Sequence, residues 1–303
     1  MERNLRNKFS LGDLTWFPSQ GEVKTFLQPA HMADLAEFLR DLGTGTEVQV
    51  LGSGSNTVFN SDHFDGVVIY LGHRFGGFEI LPDRTIRAGT GAITADVAKR
   101  AMAQGLDITF LGAVPGTIGG AIVSNAGFLG KRICDYVMRV TVVLRDGTIR
   151  TVKRATFAHP EERAIALKGA VMIQAVLALP EGEPEKLQES LAYTMQQHRT
   201  IFPQAPLCTG HVFSVESAGS ESGVLEDPLE RAAQILRRLG NFRLEGAGLY
   251  LERAFPNIIF AEDASELAKL QWFGEEIRNI CYHEFNENLD WHLQIVGNRC
   301  LIQ

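Results

Sequence analysis

Short glycine-rich stretches carry the residue types in this chain that could hold a phosphorylated ligand. The first is Gly52-Ser53-Gly54-Ser55-Asn56, which directly follows an apolar run ending at Leu51. Successive backbone N–H groups in such a turn form an anion-binding nest, and the serine and asparagine side chains add donors. We therefore expect this stretch to bind a phosphate group.

Two further stretches have the same character. Residues 88–92 read AGTGA, and residues 108–127 read ITFLGAVPGTIGGAIVSNAG. The glycines of the longer stretch remove side chains from successive turns, so the backbone can approach a ligand closely. The Pro115-Gly116 step is expected to begin a short helix whose free N–H groups point at an anion. A turn followed by a closely packed helix is the alternative interpretation. Together, three such stretches indicate a ligand with a long phosphate-bearing backbone.

Neither of the common nucleotide-binding fingerprints is present. The first stretch has Thr57 where a dinucleotide fingerprint would have its third glycine, and no helical pattern follows directly. A Walker loop is excluded because no Gly-Lys-Ser/Thr sequence occurs.

Alternating strands and helices position these stretches. A helix is predicted at 33–42, where Leu35, Phe38, Leu39 and Leu42 share one face. Further helices are predicted at 94–103, 185–199, 229–239 and 265–285. Strands are predicted at 23–27, 48–51, 67–71, 78–81, 85–88, 171–179, 248–251, 257–260 and 289–296, with a hairpin over 137–152.

Composition bounds the class of protein. The 303 residues are 45% hydrophobic and 21% charged, which suits two or three compact units. The net charge of −7 has no basic stripe, which argues against a nucleic-acid partner. There is neither a run of eighteen apolar residues nor an apolar signal core, so we expect a cytoplasmic protein without a membrane partner. The cysteines, Cys134, Cys208, Cys281 and Cys300, are far apart, so free thiols are expected.

The sequences LGSGSN, AGTGA and PGTIGGAIVSNAG, in this order and spacing, resemble the flavin-binding half of the UDP-N-acetylenolpyruvoylglucosamine reductases (MurB) of peptidoglycan synthesis. That family belongs to the vanillyl-alcohol-oxidase-like group of FAD proteins with the FAD-binding PCMH-type fold. The resemblance is specific over about residues 45–155 and continues weakly to the C-terminus. It implies an α+β protein that holds FAD between two subdomains, with the pyrophosphate on the first stretch and the flavin ring near the third.

The resemblance assigns a domain to each part of the chain. It implies FAD-binding subdomains at 1–72 and 73–202 and a C-terminal α+β substrate domain at 203–288, with strands of 289–303 as candidates to return to the first subdomain. The residues expected to bind the cofactor are Leu51, Gly52, Ser53, Gly54, Ser55, Asn56, Gly89, Thr90, Gly91, Ala92, Pro115, Gly116, Thr117, Gly119, Gly120, Asn125, Ala126 and Gly127.

The family's catalytic motifs are altered in this chain. The family's Gly-Ser-x-Phe-Lys-Asn-Pro motif aligns with GHVFSVE at 210–216, so the proton-donating serine becomes His211 and the carboxylate-binding lysine becomes Ser214. The family's C-terminal glutamate aligns with His292. Histidine can deliver a proton near neutral pH, so His211 and His292 are candidate catalytic residues at the reactive edge of the flavin. Ordinary polar or surface histidines are the alternative, and a metal is not expected because no third ligand is evident.

Other family positions are only partly retained. The family's Tyr-Arg-x-Ser motif falls at 158–164, where Arg163 is the candidate replacement for the arginine that holds the substrate carboxylate, or else a solvated charge. In a block that reads His-Ala-Asn-Phe-Ile in the family, only Asn257 survives, and Ser214 and Asn257 are candidate substrate-binding residues. The family's N-terminal Asn-Thr-Phe segment is replaced by LTWF, in which Trp16 is expected in the core.

Three functions remain open from the sequence. Loss of one preorganised charge donor typically costs about a hundred- to a thousandfold in rate, so several replacements argue against efficient turnover of the usual substrate. The first hypothesis is therefore an FAD-dependent oxidoreductase acting on another small molecule, such as a different nucleotide-linked or amino sugar. The second is an NADPH-dependent UDP-N-acetylmuramate dehydrogenase with substituted catalytic residues, and the third is a flavin-binding protein without catalysis. NADPH is the candidate electron donor.

Overall fold

A computed structural model describes residues 3–297 apart from 13, 18–20, 44, 61–62, 155, 157–161, 163–165, 204–206 and 216–226. The chain forms two compact units, each assembled from separate segments. Unit 1 comprises Met1–Phe9, Val23–Ser53 and Asp65–His198, and unit 2 comprises Ser10–Glu22, Gly54–Phe64 and Arg199–Gln303. The division into flavin-binding and substrate domains stays a prediction.

Helices and strands are mixed along the whole chain, and the predicted α+β class is confirmed. The helices are α1 (Met32–Leu42), α2 (Thr94–Met102), α3 (Ile118–Ser124), α4 (Pro184–Ile201), α5 (Pro228–Leu236) and α6 (Leu270–Phe285). The strands are β1 (Asn4–Ser10), β2 (Glu22–Gln28), β3 (Val48–Leu51), β4 (Thr57–Phe59), β5 (His63–Tyr70), β6 (Phe78–Ile80), β7 (Ile86–Gly89), β8 (Gly127–Phe128), β9 (Lys131–Arg132), β10 (Val137–Val143), β11 (Ile149–Lys153), β12 (Val171–Leu177), β13 (Phe213–Ser214), β14 (Phe242–Arg243), β15 (Leu249–Glu252), β16 (Phe255–Ala261), β17 (Asp290–Trp291) and β18 (Gln294–Val296).

Unit 1 contains a four-stranded sheet in the order β1-β2-β5-β3, in which β3 and β5 are parallel. Helix α1 packs its Leu35 and Leu39 side chains into a core that includes Leu27 of β2 and Ile69 of β5. His31 caps this helix, because its Nδ1 accepts the Asp34 N–H at 3.2 Å. The parallel pair ends at Leu51, and the first glycine stretch leaves the sheet from that end.

Unit 1 also contains a five-stranded antiparallel sheet in the order β11-β10-β12-β7-β6. Its central strand β12 is apolar and almost wholly buried, as expected for a strand covered on both faces. Helices α2 and α3 contribute Val97, Ile118 and Ile122 to the largest core of the unit. The second and third glycine stretches contribute buried residues to this core, such as Ala88, Ala92 and Phe110.

Unit 2 is built around the three-stranded sheet β14-β15-β16 and two short ladders, β13–β17 and β4–β18. Helices α5 and α6 bury Ile235, Phe273 and Ile277 in its core. The C-terminal strand β18 runs parallel to β4. No helix in the described part of the chain is long and apolar enough to cross a membrane.

Candidate functional site

The first glycine stretch keeps most of its backbone donors unused. Within the described part of the chain, the N–H groups of Gly52, Ser53, Gly54 and Asn56 donate to no protein acceptor. The Ser53 hydroxyl oxygen is buried and has no hydrogen-bond partner among the described residues. Buried polar atoms are normally paired, so a ligand with several acceptor oxygens would complete this set.

Two glycines of this stretch are required by close contacts. Gly54 has a φ of 68°, and a Cβ atom there would lie 2.1 Å from the carbonyl oxygen of Leu14. A Cβ atom on Gly52 would lie 2.3 Å from the Thr117 hydroxyl oxygen. The contact between Gly52 and Thr117 brings the first and third glycine stretches together.

The third stretch forms a turn and then helix α3, whose N-cap is Thr117. The first N–H groups of the helix are already bound, since Ile118 and Gly119 donate to carbonyls of the second stretch at 2.9 and 2.8 Å and Gly120 donates to the Thr117 hydroxyl at 3.3 Å. The prediction that free helix N–H groups point at an anion is therefore wrong.

The donors that remain in this stretch precede the helix. In the described part of the chain, no acceptor is found for the N–H groups of Gly116 and Thr117, and Gly116 has a φ of 124°. This conformation is one that glycine adopts readily and other residues rarely do. The third stretch therefore offers a ligand two N–H groups, beside the contact between Thr117 and Gly52.

The second stretch uses its backbone donors inside the protein. The N–H groups of Gly89, Thr90, Gly91 and Ala92 donate to the carbonyls of Gly77, Ile173, Phe75 and Gly89 at 2.8, 3.1, 2.9 and 3.0 Å. A Cβ atom on Gly89 or Gly91 would lie 2.0 Å from a carbonyl oxygen of the segment 72–75, so both glycines permit close packing. This stretch holds the third stretch in place through the carbonyls of Ala92 and Thr90. Its N–H groups are already bound, so its predicted contact with a cofactor would have to use other groups.

The end of the third stretch shapes the following turn. Asn125 is in the left-handed conformation at the end of α3, and its Oδ1 accepts the Cys134 N–H at 3.2 Å. Ala126 donates to Ala121 at 2.7 Å, and Gly127 begins the β8–β9 hairpin. These contacts give all three residues structural roles, and their predicted contact with the cofactor stays a prediction.

An ion pair joins this hairpin to the residue that directly precedes the third stretch. Lys131 Nζ lies 2.6 Å from Asp107 Oδ2. Burial alone would raise the pKa of Asp107, but the hydrogen bonds from Lys131 and Thr109 outweigh it and hold this pKa below its usual value. The carboxylate therefore stays charged at neutral pH and fixes the hairpin.

In unit 2 the two candidate catalytic histidines come from neighbouring backbone segments. The β13–β17 ladder places Phe213 opposite Trp291. Just beyond the ladder, the carbonyl of Val212 accepts the His292 N–H at 2.8 Å. The His211 ring packs against Phe202, with ring centroids 4.8 Å apart. The structure thus brings the backbone of Val212, next to His211, against that of His292 from a distant part of the sequence.

Asn257 is committed to the backbone of this ladder. Its side chain is buried, its Oδ1 accepts the Phe213 N–H at 2.9 Å, and its Nδ2 donates to the Phe213 carbonyl at 2.8 Å. The Asn257 carbonyl also accepts the Val212 N–H at 3.0 Å. These contacts fix the strand that follows His211. The predicted substrate contacts of Asn257 and of the half-buried Ser214 stay predictions.

The last residue of the first glycine stretch also holds this site. Asn56 Nδ2 donates to the His292 carbonyl at 3.0 Å, and the Asn56 carbonyl accepts the Gln294 N–H at the same distance. Sequence reasoning assigned Asn56 to the cofactor alone, because nothing in its local pattern points to a residue 236 positions away.

Two other predictions concern charge and metal. Arg163, the candidate carboxylate-binding residue, lies outside the residues that the structure describes. Among the described side chains, no group of three His, Cys, Asp or Glu residues could hold a metal ion.

Known flavoproteins resemble this chain over nearly its whole length. The sequence profile of an FAD binding domain matches residues 23–153. The UDP-N-acetylenolpyruvoylglucosamine reductases of Dinoroseobacter shibae and Paracoccus denitrificans are each 32% identical over 95% of this chain, which corresponds to 93% and 94% of those proteins. The crystal structure of UDP-N-acetylenolpyruvylglucosamine reductase (MurB) from Thermus caldophilus matches with a TM-score of 0.70 at 19% identity, over 97% of this chain and 100% of that chain.

The donors of the first glycine stretch fit FAD, because a pyrophosphate presents several acceptor oxygens to the N–H groups of Gly52, Ser53, Gly54 and Asn56 and to the Ser53 hydroxyl. With the matched FAD binding domain, fold and site define a flavin-dependent oxidoreductase. The similarity of this chain to the reductases, over almost their full length, identifies the family within this class. The chain belongs to the UDP-N-acetylenolpyruvoylglucosamine reductase (MurB) family, and the predicted family and FAD cofactor are confirmed.

Proposed function

We propose that this protein is an FAD-dependent oxidoreductase whose substrate differs from the enolpyruvyl nucleotide of its family, and that His211 and His292 handle the proton of its reaction. The substrate is a small molecule such as another nucleotide-linked or amino sugar, and NADPH is the electron donor. The observation that carries the proposal is the hydrogen bond of 2.8 Å from His292 N to the Val212 carbonyl, which places the backbones of both substituted positions side by side.

The loss of positive charge supports a substrate other than the family's usual one. The resemblance assigns a lysine and a glutamate to positions that this chain fills with Ser214 and His292. A hydroxyl cannot replace the lysine charge that stabilises a carboxylate, and one lost donor of this kind typically costs about a hundred- to a thousandfold in rate. A substrate with a smaller need for positive charge suits the residues present.

The chain's own residues divide the remaining work. Bound FAD supplies the hydride chemistry, and the protein supplies the proton and the orientation. An imidazole titrates near neutral pH, so His211 can hold a proton for the substrate and release it. Asn257 fixes the backbone next to His211, and Asn56 fixes the carbonyl of His292.

The test is anaerobic spectroscopy of the purified flavoprotein. NADPH should bleach the flavin bands, and reoxidation by a panel of nucleotide-linked and amino sugars should be faster than by the enolpyruvyl nucleotide. His211→Ala should lower substrate-dependent turnover by about a hundredfold or more while FAD stays bound, because positioned proton transfer contributes about a hundred- to ten-thousandfold. His283→Ala is the matched control, since His283 is exposed on α6. Unchanged turnover of His211→Ala would contradict the assignment of this residue.

A second candidate function is favoured by the relatives. The two reductases that are 32% identical carry the name of the family's usual reaction. If the enolpyruvyl nucleotide causes rapid NADPH loss and the other sugars do not, the protein is an NADPH-dependent UDP-N-acetylmuramate dehydrogenase with substituted residues. If no reductant or oxidant cycles the bound flavin, it is a flavin-binding protein without catalysis.

A further inference from the structure

Trp16 is exposed beside the first glycine stretch. The residue is 62% exposed, whereas its neighbours Thr15 and Phe17 are 9% and 4% exposed. The prediction that Trp16 lies in the core is therefore wrong. A large aromatic side chain usually buries most of its surface, so the exposed indole leaves an apolar face that the ring of a ligand can cover.

The backbone of this segment is fixed against Gly54. Trp16 donates its N–H to the Gly54 carbonyl at 3.2 Å, and the Thr15 hydroxyl donates to the Phe17 carbonyl at 2.7 Å. A Cβ atom on Gly54 would lie 2.7 Å from the Cα atom of Thr15. Because Thr15 and Phe17 are anchored in unit 2, the indole between them is directed away from the core at a defined place.

The indole makes no hydrogen bond and no ring contact within the described part of the chain. There its N–H meets no acceptor, and neither an aromatic ring nor a cation packs on its face. The backbone N–H of Trp16 binds the carbonyl of Gly54, whose own N–H donates to no acceptor among the described residues. A ligand whose phosphates bind these N–H groups carries planar rings that could cover the indole.

We propose that Trp16 is an aromatic platform on which one planar ring of FAD, the adenine or the isoalloxazine, stacks when the pyrophosphate binds at the first glycine stretch. Stacking of a planar base on an aromatic side chain is favourable whatever the identity of the base. The inference goes beyond the proposed function, since it depends on neither the substrate nor the histidines.

The test compares FAD dissociation from the wild-type protein and from Trp16→Ala, Trp16→Phe and Tyr282→Ala, followed by the recovery of flavin fluorescence on dilution. Trp16→Ala should raise the Kd for FAD by roughly 5- to 100-fold, as expected for the loss of one stacking contact. Trp16→Phe should recover most of the affinity. Tyr282→Ala should bind as the wild type does, because it removes a ring of similar exposure on α6.

The deflavinated protein then identifies the stacked ring. If Trp16→Ala weakens ADP but not FMN, the platform holds adenine, and the reverse pattern assigns it to the flavin ring. Inorganic pyrophosphate should bind equally to the wild type and to Trp16→Ala. The proposal is overturned if Trp16→Ala leaves FAD, ADP and FMN binding unchanged. Equal weakening of ADP, FMN and pyrophosphate would also overturn it, because the glycine stretch itself would then be damaged.

Discussion

Gly52→Ala should disrupt the contact that joins the first and third glycine stretches. The new Cβ atom would lie 2.3 Å from the Thr117 hydroxyl oxygen, which is 0.7 Å inside the 3.0 Å limit of real Cβ contacts. Overpacking of this kind costs about 1–3 kcal/mol of folding stability. One lost charge-assisted hydrogen bond to phosphate is worth about 1.5–3 kcal/mol, so the Kd for FAD should rise by roughly 10- to 100-fold.

The cause can be isolated with a second substitution. Thr117→Ala removes the clashing hydroxyl and also the N-cap of α3, which alone costs about 0.5–2 kcal/mol. With the hydroxyl gone, the Cβ atom introduced at position 52 would next meet the Cβ atom of residue 117 at 3.3 Å, a tight but tolerable contact. Gly52→Ala should therefore cost less than about 1 kcal/mol in the Thr117→Ala background, which is a coupling between neighbouring residues.

Urea unfolding and FAD titration of the four proteins measure this coupling. Gly45→Ala is the matched control, because a Cβ atom there meets no atom within 4 Å. If the effects of Gly52→Ala and Thr117→Ala simply add, the contact does not limit the size of residue 52, and the reasoning is refuted.

Two further predictions follow from buried polar contacts. Asn257→Ala should lower the free energy of unfolding in urea by about 2 kcal/mol or more, because the N–H and carbonyl of Phe213 lose their partners. Turnover should fall while the Kd for FAD stays unchanged. Asn241→Ala, at an exposed position, is the control, and equal stability of both variants would exclude the role of Asn257. Because the pKa of Asp107 is lowered on folding, its charge stabilises the fold above the ordinary pKa of 3.8, and this contribution is lost as the pH falls through the lower pKa of the folded state. Asp107→Asn should remove that part of the acid dependence of thermal unfolding, and an unchanged pH profile would contradict the role of this carboxylate.

Much of the fold could be predicted from local patterns. Local patterns predict helix α1 from its amphipathic face, strand β12 from its apolar run, and the β10–β11 hairpin from the Asp146-Gly147 turn. The structure has all three elements. By contrast, the sequence does not predict β1, because its side chains are mostly exposed and polar and no alternation of apolar residues marks the strand.

The candidate site could be predicted only in part. The spacing of the glycines predicts where the backbone of the first and third stretches is accessible to a ligand, because the sequence shows directly which residues lack a side chain. It could not tell that the N–H groups of Gly89 and Gly91 are bound by carbonyls from elsewhere in unit 1, since hydrogen-bond partners depend on the tertiary fold. The core position predicted for Trp16 rests on residue type alone, which does not show that its neighbours Thr15 and Phe17 are the buried residues of this segment.

The pairing of β18 with β4 has a consequence for biosynthesis. Asn56 and His292 are 236 residues apart, so the segment that contains His292 must leave the ribosome before the carboxyl half of the first glycine stretch meets its partner. Closing so long a loop is slow in comparison with local pairing. The nascent protein therefore completes its cofactor loop only after the segment of β18 has emerged, and FAD is expected to be acquired after that point.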